Sequence, residues 1–384
     1  MLKRKLALST MLVSSIIGCS SIAAEEISIS GFASFVAGMT TNDEDSHLGF
    51  NDDIDFEQGS LLGLQFSKDL GEGWGVTTQL LSRGSEDWDI GVEWAFVSYE
   101  TDNSRFLMGR QRAPFYLYSD FLDVSYAYHW ITPPQGVYNY IPFDSIDGVG
   151  YLYNSTLGDF DSSLHMTYGR NTEPFSLGGE EITPDFGNFA SVSWTLNKDW
   201  MTIRFSYARS DIDAPSEGLA QLAAGWTAAG FASVGDSILL ADDDGSFLGV
   251  SFMADYEEFL FVSEYTFVEA DQTLLAENDS FYASFGYRTD YGMWHLTYEM
   301  DESDPDLGRF DGVPLGVDPG LDFLYGASLA TVQGQDEDSD SITLGFKKDF
   351  DTTVSLKVEY TMFDNNLSTN VSRDLIRVAL VTVF

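Results

Sequence analysis

Cysteine is nearly absent. The chain of 384 residues has one, Cys19, close to its start. A protein that loses its first two dozen residues on export therefore keeps no thiol, which excludes disulfides and thiolate metal sites from the mature chain. Basic residues are scarce as well: 19 Lys and Arg stand against 61 Asp and Glu, for a formal charge of −42. That sign excludes nucleic acid as a partner. Past the N-terminal segment there is no run of 18 apolar residues, so no transmembrane helix is encoded. Histidine is limited to His47, His129, His165 and His295. No motif pairs any of them with a nucleophile, and the sequence is read as that of a non-enzyme without cofactor or metal. With hydrophobic residues at 44% and aromatics at 15%, the acidity does not imply disorder.

The N-terminus carries a targeting pattern. Lys3-Arg4-Lys5 precedes an apolar stretch from Leu6 to Gly18, and Ser21-Ile22-Ala23-Ala24 supplies small residues before Glu25. This predicts a secretory signal peptide over 1–24, cut after Ala24, with 25–384 as the mature domain. Losing the three cations takes the formal charge to −45. A competing pattern is Ile16-Ile17-Gly18-Cys19, which reads as a lipoprotein box with Cys19 acylated.

The C-terminus is a strand that runs to the last residue. Ile376, Val378, Leu380, Thr382 and Phe384 fall on one face, and Arg377, Ala379, Val381 and Val383 on the other. Sixteen segments of this kind can be read: 27–39, 60–69, 73–83, 90–101, 105–111, 146–154, 160–170, 187–197, 200–209, 246–256, 259–270, 280–289, 292–301, 341–349, 353–364 and 374–384. Even-to-odd connections are tight Gly, Asp and Asn turns such as Leu70-Gly71-Glu72 and Asp102-Asn103-Ser104. Odd-to-even connections include three long ones, 112–145, 210–245 and 302–340. Short turns alternating with long loops, and alternating polarity within strands, predict an all-β transmembrane antiparallel barrel of sixteen strands. Without spanning helices, only a closed barrel satisfies its backbone in lipid. The segment 216–240 has helical spacing in Leu219, Leu222, Ala223 and Trp226. Trp74, Trp94, Trp200, Tyr291 and Trp294 sit near strand ends and read as an interfacial girdle.

The polar strand faces carry full charges. Ser355, Lys357, Glu359 and Thr361 alternate with Leu356, Val358 and Tyr360. These charges are expected to face a water-filled lumen. The loop 112–145 is unusual for an exposed connection. It holds Phe115, Tyr116, Tyr118, Phe121, Tyr126, Tyr128, Trp130, Tyr138, Tyr140 and Phe143, with only Asp120, Asp123 and Asp144 as acids. Such an apolar loop is expected to fold into the barrel, its aromatics on the inner wall.

Gly109-Arg110-Gln111 at the end of the fifth strand, then Pro114-Phe115 and a long Asp-containing loop, resemble the Gram-negative general porin family. That resemblance implies a sixteen-stranded barrel of the outer membrane, usually a homotrimer, with the loop 112–145 as its constriction. It implies a basic wall of Arg83, Arg110, Arg112, Arg204 and Arg377 facing acidic loop residues Asp120, Asp123 and Asp144. It also implies passive diffusion of small hydrophilic solutes, with contacts to outer-membrane lipid and lipopolysaccharide. The acidic composition favours cations. The alternative is a substrate-specific, oligosaccharide-type pore in which Tyr116, Tyr118, Tyr126 and Trp130 stack on sugar rings. The short loop Gly84–Asp89 departs from the family, where that loop often reaches a neighbour. Phe384 is expected to act in barrel assembly.

Overall fold

Sixteen antiparallel strands pair around a closed ring. The computed structural model describes residues 26–42, 46–177, 180–241, 243–271, 274–367 and 373–384. The segment 1–24, its cut after Ala24 and Cys19 lie outside the described residues. The first five strands are β1 Ser28–Thr40, β2 Leu61–Gly71, β3 Trp74–Arg83, β4 Ile90–Glu100 and β5 Ser104–Arg112. Then come β6 Ser145–Leu157 and β7 Phe160–Asn171. A small hairpin, β8 Phe175–Leu177 and β9 Glu180–Ile182, lies outside the ring. The ring continues through β10 Asp185–Lys198, β11 Met201–Asp213, β12 Asp243–Tyr256, β13 Phe259–Asp271, β14 Glu277–Thr289, β15 Gly292–Asp304, β16 Glu337–Asp349, β17 Val354–Asn365 and β18 Leu375–Val383. Each of the sixteen segments read from the alternation is a barrel strand, with ends shifted by a few residues.

The faces follow the pleat. Leu296, Leu344, Val358, Ile376, Val378 and Leu380 are exposed on the outer surface, whereas Thr297, Lys357, Glu359, Arg377 and Ala379 are buried inside. This arrangement, apolar outside and polar within, inverts that of a water-soluble protein and suits a hydrocarbon surround. Tight turns close one end. The turn residues Glu72, Asp199 and Glu257 take left-handed φ values of 54°, 43° and 53°, which short hairpin connections require.

Closure joins the two ends of the chain. β1 pairs with β18 from Phe32↔Val383 to Thr40↔Leu375. The Gly31 amide donates to the Phe384 carbonyl at 2.7 Å and the Phe384 amide to the Gly31 carbonyl at 2.9 Å. The Phe384 ring lies over Gly31, where an added Cβ would come within 2.5 Å of it. Deleting Phe384 removes both hydrogen bonds and the ring while leaving the lumen untouched. The expected result is a lower yield of folded barrel in a heat-modifiability gel, with normal single-channel conductance in the molecules that fold. Normal yield with altered conductance would contradict it.

Four connections, β7–β10, β11–β12, β13–β14 and β15–β16, build a second hydrophobic cluster at the other end. The helices α2 Glu217–Ala228, α3 Ala232–Asp236 and α4 Pro319–Gln333 contribute Leu219, Trp226, Val234, Leu321 and Val332, and Phe310 precedes α4. Trp226 Nε1 donates to Ser328 Oγ at 2.9 Å. The helix expected within 216–240 is present, capped by Ser216 accepting from the Leu219 amide. α4 was not foreseen. Its Asp318 cap followed by Pro319 in the first turn is a readable start signal.

Candidate functional site

The connection from β5 to β6, residues 113–144, runs through the interior. It contains one turn of helix, α1 Gln135–Tyr138. Ala113, Phe115, Tyr116, Tyr118, Tyr128, Trp130, Val137, Tyr138 and Phe143 pack in one buried cluster with inner-wall residues of β10 to β14, among them Phe189, Ala208, Phe247, Val262 and Tyr282. Ile131 packs farther round the ring, with Val36 of β1 and Leu375, Ala379 and Val381 of β18. The apolar composition of the loop therefore has an apolar inner wall to match, and burying these aromatics there removes a large apolar area from water.

Polar anchors run the length of the loop. Arg204 on β11 donates from Nη2 to the Pro114 carbonyl at 2.9 Å. Glu264 on β13 accepts from the Leu117 amide at 2.8 Å, from Tyr138 Oη, and from Tyr282 Oη at 2.8 Å. Trp130 Nε1 donates to Thr297 Oγ1 on β15 at 2.8 Å. Glu299 on β15 accepts from the Gly136 amide. Lys347 on β16 donates to the carbonyls of Tyr126 and Tyr128. Lys357 on β17 is 0% exposed. Its ammonium donates to the carbonyls of Ser125 and Trp130 and to Ser125 Oγ at 2.9 Å. Glu359 accepts from the Ile131 amide at 2.7 Å and from Arg377 Nη2 at 2.8 Å, and Arg377 Nη1 donates to Thr132 Oγ1 at 2.9 Å. Loop carbonyls and amides lost from water inside the barrel find charged partners there, as buried backbone groups must.

Near the root of the loop two guanidinium groups meet three carboxylates. Arg83 on β3 donates to Glu93 Oε1 at 2.9 Å and to Asp123 Oδ1 at 3.0 Å. Arg112 at the end of β5 pairs with Asp123 and with Asp144. Burial alone would push the Asp123 carboxyl up, but Arg112 and Arg83 outweigh it and hold the group below the usual carboxylate range. Carboxylate oxygens of Glu93, Asp123 and Asp144 come within 4.8 Å of one another. The two guanidinium groups are the cations that compensate them.

The residues expected to form the eyelet thus have separate fates. Arg83, Arg112, Asp123 and Asp144 come together, but as an ion-paired anchor in which Arg112 and Asp123 are buried and Arg83 and Asp144 half-buried. Arg204 and Arg377 face inward as the alternation requires, yet both are buried beneath the loop. Arg110 departs from expectation: it shares the outer face with the exposed Phe106 and Met108 and pairs with Asp147 and Glu173. The reason is parity. Gln111, Gly109 and Leu107 take the inward positions of β5, so Arg110 points outward. Tyr116, Tyr118 and Trp130 are 3, 8 and 2% exposed, their faces covered by packing rather than open to a sugar. Tyr126 is half-buried, with its ring 4.9 Å from Lys347 Nζ. Asp120 alone of the three loop acids is exposed. It acts electrostatically on Arg204 and on His165 of β7. Gln65 and Ser67 of β2 and Thr77 and Gln79 of β3 pair across the same inner face without charge.

The sequence puts Lys357 and Glu359 on a polar strand face but gives them no role as loop anchors, and Lys347, Glu264 and Glu299 are not among its expected site residues. The signal available was their position: each sits on the inward face of a strand whose other face is apolar. That pattern had suggested charges in open water, and the structure instead puts them under the loop.

A closed transmembrane barrel with a long loop tied across its interior defines a channel class. The family model described as Gram-negative porin matches residues 8–368, and the chain belongs to that family. Solved structures agree in fold. An anion-selective porin from Comamonas acidovorans is 14% identical, with 94% of this chain and 100% of that chain covered and a TM-score of 0.61. The outer membrane channel DcaP of Acinetobacter baumannii is 14% identical, covering 96% and 99%, with a TM-score of 0.59. OmpF of Salmonella typhi, in complex with daunomycin, is 13% identical, covering 94% and 98%, with a TM-score of 0.59. No curated protein matches the sequence.

Proposed function

We propose that this porin is a general channel of the outer membrane, passing small hydrophilic solutes and ions by passive diffusion with a preference for cations. It performs no covalent chemistry in this reading. One observation carries the ion preference. The inward cations Arg83, Arg112, Arg204, Lys357 and Arg377 are engaged with loop or wall acceptors, so most of the basic wall is taken up in holding the loop, while Arg105 of β5 lies over the Phe96 ring. Asp120 remains as an exposed acid on the lumen side. A fixed carboxylate beside a narrow aqueous path raises the local concentration of cations.

The burial of Tyr116, Tyr118 and Trp130 supports the general reading over the oligosaccharide reading. Liposome swelling tests it. Rates are expected to fall smoothly with solute size and to stay proportional to concentration. Saturation with one sugar series would favour the specific pore.

A homotrimer through the lower side of the wall is part of the same proposal. Strands β2 to β5 and β18 have 9 to 11 residues, whereas β1, β6, β7 and β10 to β17 have 12 to 14. A shorter wall spans less hydrocarbon, which a neighbouring copy can cover. Outer-leaflet lipopolysaccharide would meet the remaining, taller surface.

A further inference from the structure

We propose that Gln335, just past the end of α4, is a positioning residue for the constriction loop: it ties the helical cap of α2, α3 and α4 to the loop around Tyr140, through the backbone of Leu274 and Ala276. The inference rests on the reading of the 113–144 loop as the constriction.

The loop cluster and the cap cluster share one described hydrophobic side chain. Leu275, in the connection between β13 and β14, packs against the cluster that holds Phe115, Trp130 and Tyr138 and against the cluster that holds Trp226 and Val332. Its neighbours Leu274 and Ala276 are 1 and 2% exposed. Their backbone groups are cut off from water and need partners inside the protein. Gln335 serves both residues. Its Nε2 donates to the Leu274 carbonyl at 2.9 Å, and its Oε1 accepts from the Ala276 amide at 3.3 Å. A carboxamide carries a donor and an acceptor at equal reach, so it pairs with a main-chain segment as another peptide unit would. An ionised carboxylate or an ammonium at this position could serve only one of the two groups. The Ala276 carbonyl then takes the Tyr140 hydroxyl of the loop at 2.6 Å.

Both ends of this chain of contacts start from ordered structure. Gln335 follows α4, whose last turn buries Val332 at the centre of the cap, and the Gln335 amide donates to the Val332 carbonyl at 3.2 Å. α4 is seated closely on α2: a Cβ added to Gly225 would lie 2.6 Å from Leu324. At the other end Tyr140 follows α1, where the Tyr138 and Asn139 amides donate to the carbonyls of Pro134 and Gln135 at 3.1 and 2.9 Å. The remaining anchors of α1 come from the barrel wall. Glu299 takes the Gly136 amide and Glu264 takes the Tyr138 hydroxyl. Loss of Gln335 therefore loosens the arm that returns to β6 without releasing the loop, and the path beside it fluctuates in width.

Hydrogen exchange in the detergent-refolded barrel tests the tie. Gln335→Leu nearly keeps the size of the side chain and removes both of its bonds. The Tyr138 and Asn139 amides are expected to exchange about threefold to tenfold faster than in the wild type, relative to β17. Tyr140→Phe, which leaves the cap intact, is expected to do the same. The two substitutions break one chain of contacts in series, so the double variant should gain no more than the larger single effect. Unchanged exchange in Gln335→Leu would overturn the proposal. Effects that multiply in the double variant would overturn it too, because Gln335 would then act on the barrel at large. If Gln335→Leu does not assemble, Gln335→Glu, which loses only the donor, is read in its place with the same outcomes. Bilayer recordings on the same variants separate the tie from the reading beneath it. Raised open-channel noise is expected alongside the faster exchange. Faster exchange with an unchanged current would leave the tie standing and count against the loop as the constriction.

Discussion

Replacing Arg112 by Met is expected to cost about 3–5 kcal/mol of barrel stability, the range for removing one partner from a buried ion pair. Arg112 is buried and serves Asp123 and Asp144 together. Without it, Arg83 is the only cation left for three carboxylates. The loss is expected to be visible in urea titration of the detergent-refolded protein, read as the fraction of the heat-modifiable folded form. Asp123→Asn alone should cost less, because it removes a charge rather than stranding one. The double variant Arg112→Met/Asp123→Asn should recover part of the loss, giving a coupling energy of about 1–3 kcal/mol. A single-variant loss below about 1 kcal/mol would mean that the cluster behaves as a solvated surface pair, and the loop root would then be held by its aromatics alone.

The second large effect concerns selectivity. Asp120→Lys is expected to lower the cation-to-anion permeability ratio by about tenfold. A unit charge acts on an ion about 6 Å away in water with about 0.7 kcal/mol, and physiological salt screens roughly half of that. Reversing the charge changes the energy of a cation and of an anion by about 0.7 kcal/mol each, in opposite directions, which together make about a factor of ten. Asp123→Asn is the comparison that matters, because Asp123 is buried against two guanidinium groups. Its removal should disturb folding more than selectivity. If the two substitutions shifted selectivity equally, the distinction between an exposed lumen acid and an anchoring acid would fail.

The fold was legible because a barrel writes its rule into each strand. Alternation placed all sixteen strands, and the contrast of tight turns with long loops gave the topology. Closure of β18 on β1 followed from a terminal strand with no other partner. The loop 113–144 was legible from its aromatics, which no exposed loop of that length can keep in water. The site was less so. Parity says that Lys357, Arg204 and Arg377 point inward, but not whether water or loop lies in front of them. That depends on the path of a chain segment whose contacts are all distant in sequence. Arg110 shows the opposite error. The resemblance placed it in the lumen, while the alternation of Leu107, Gly109 and Gln111 already put it on the outer face. The cap helix α4 begins at an Asp318-Pro319 start signal, but it lies inside the long connection 302–340, whose length hides it from the strand alternation.

We propose that most of the wall's cations are taken up in holding the loop, leaving an acidic field along the path. Reversal potential across a bilayer holding the wild-type channel in an about tenfold KCl gradient tests it most directly. The account predicts that the dilute side becomes positive, the sign of cation preference. A dilute side that becomes negative would show that free arginines still line the eyelet, and would contradict the account.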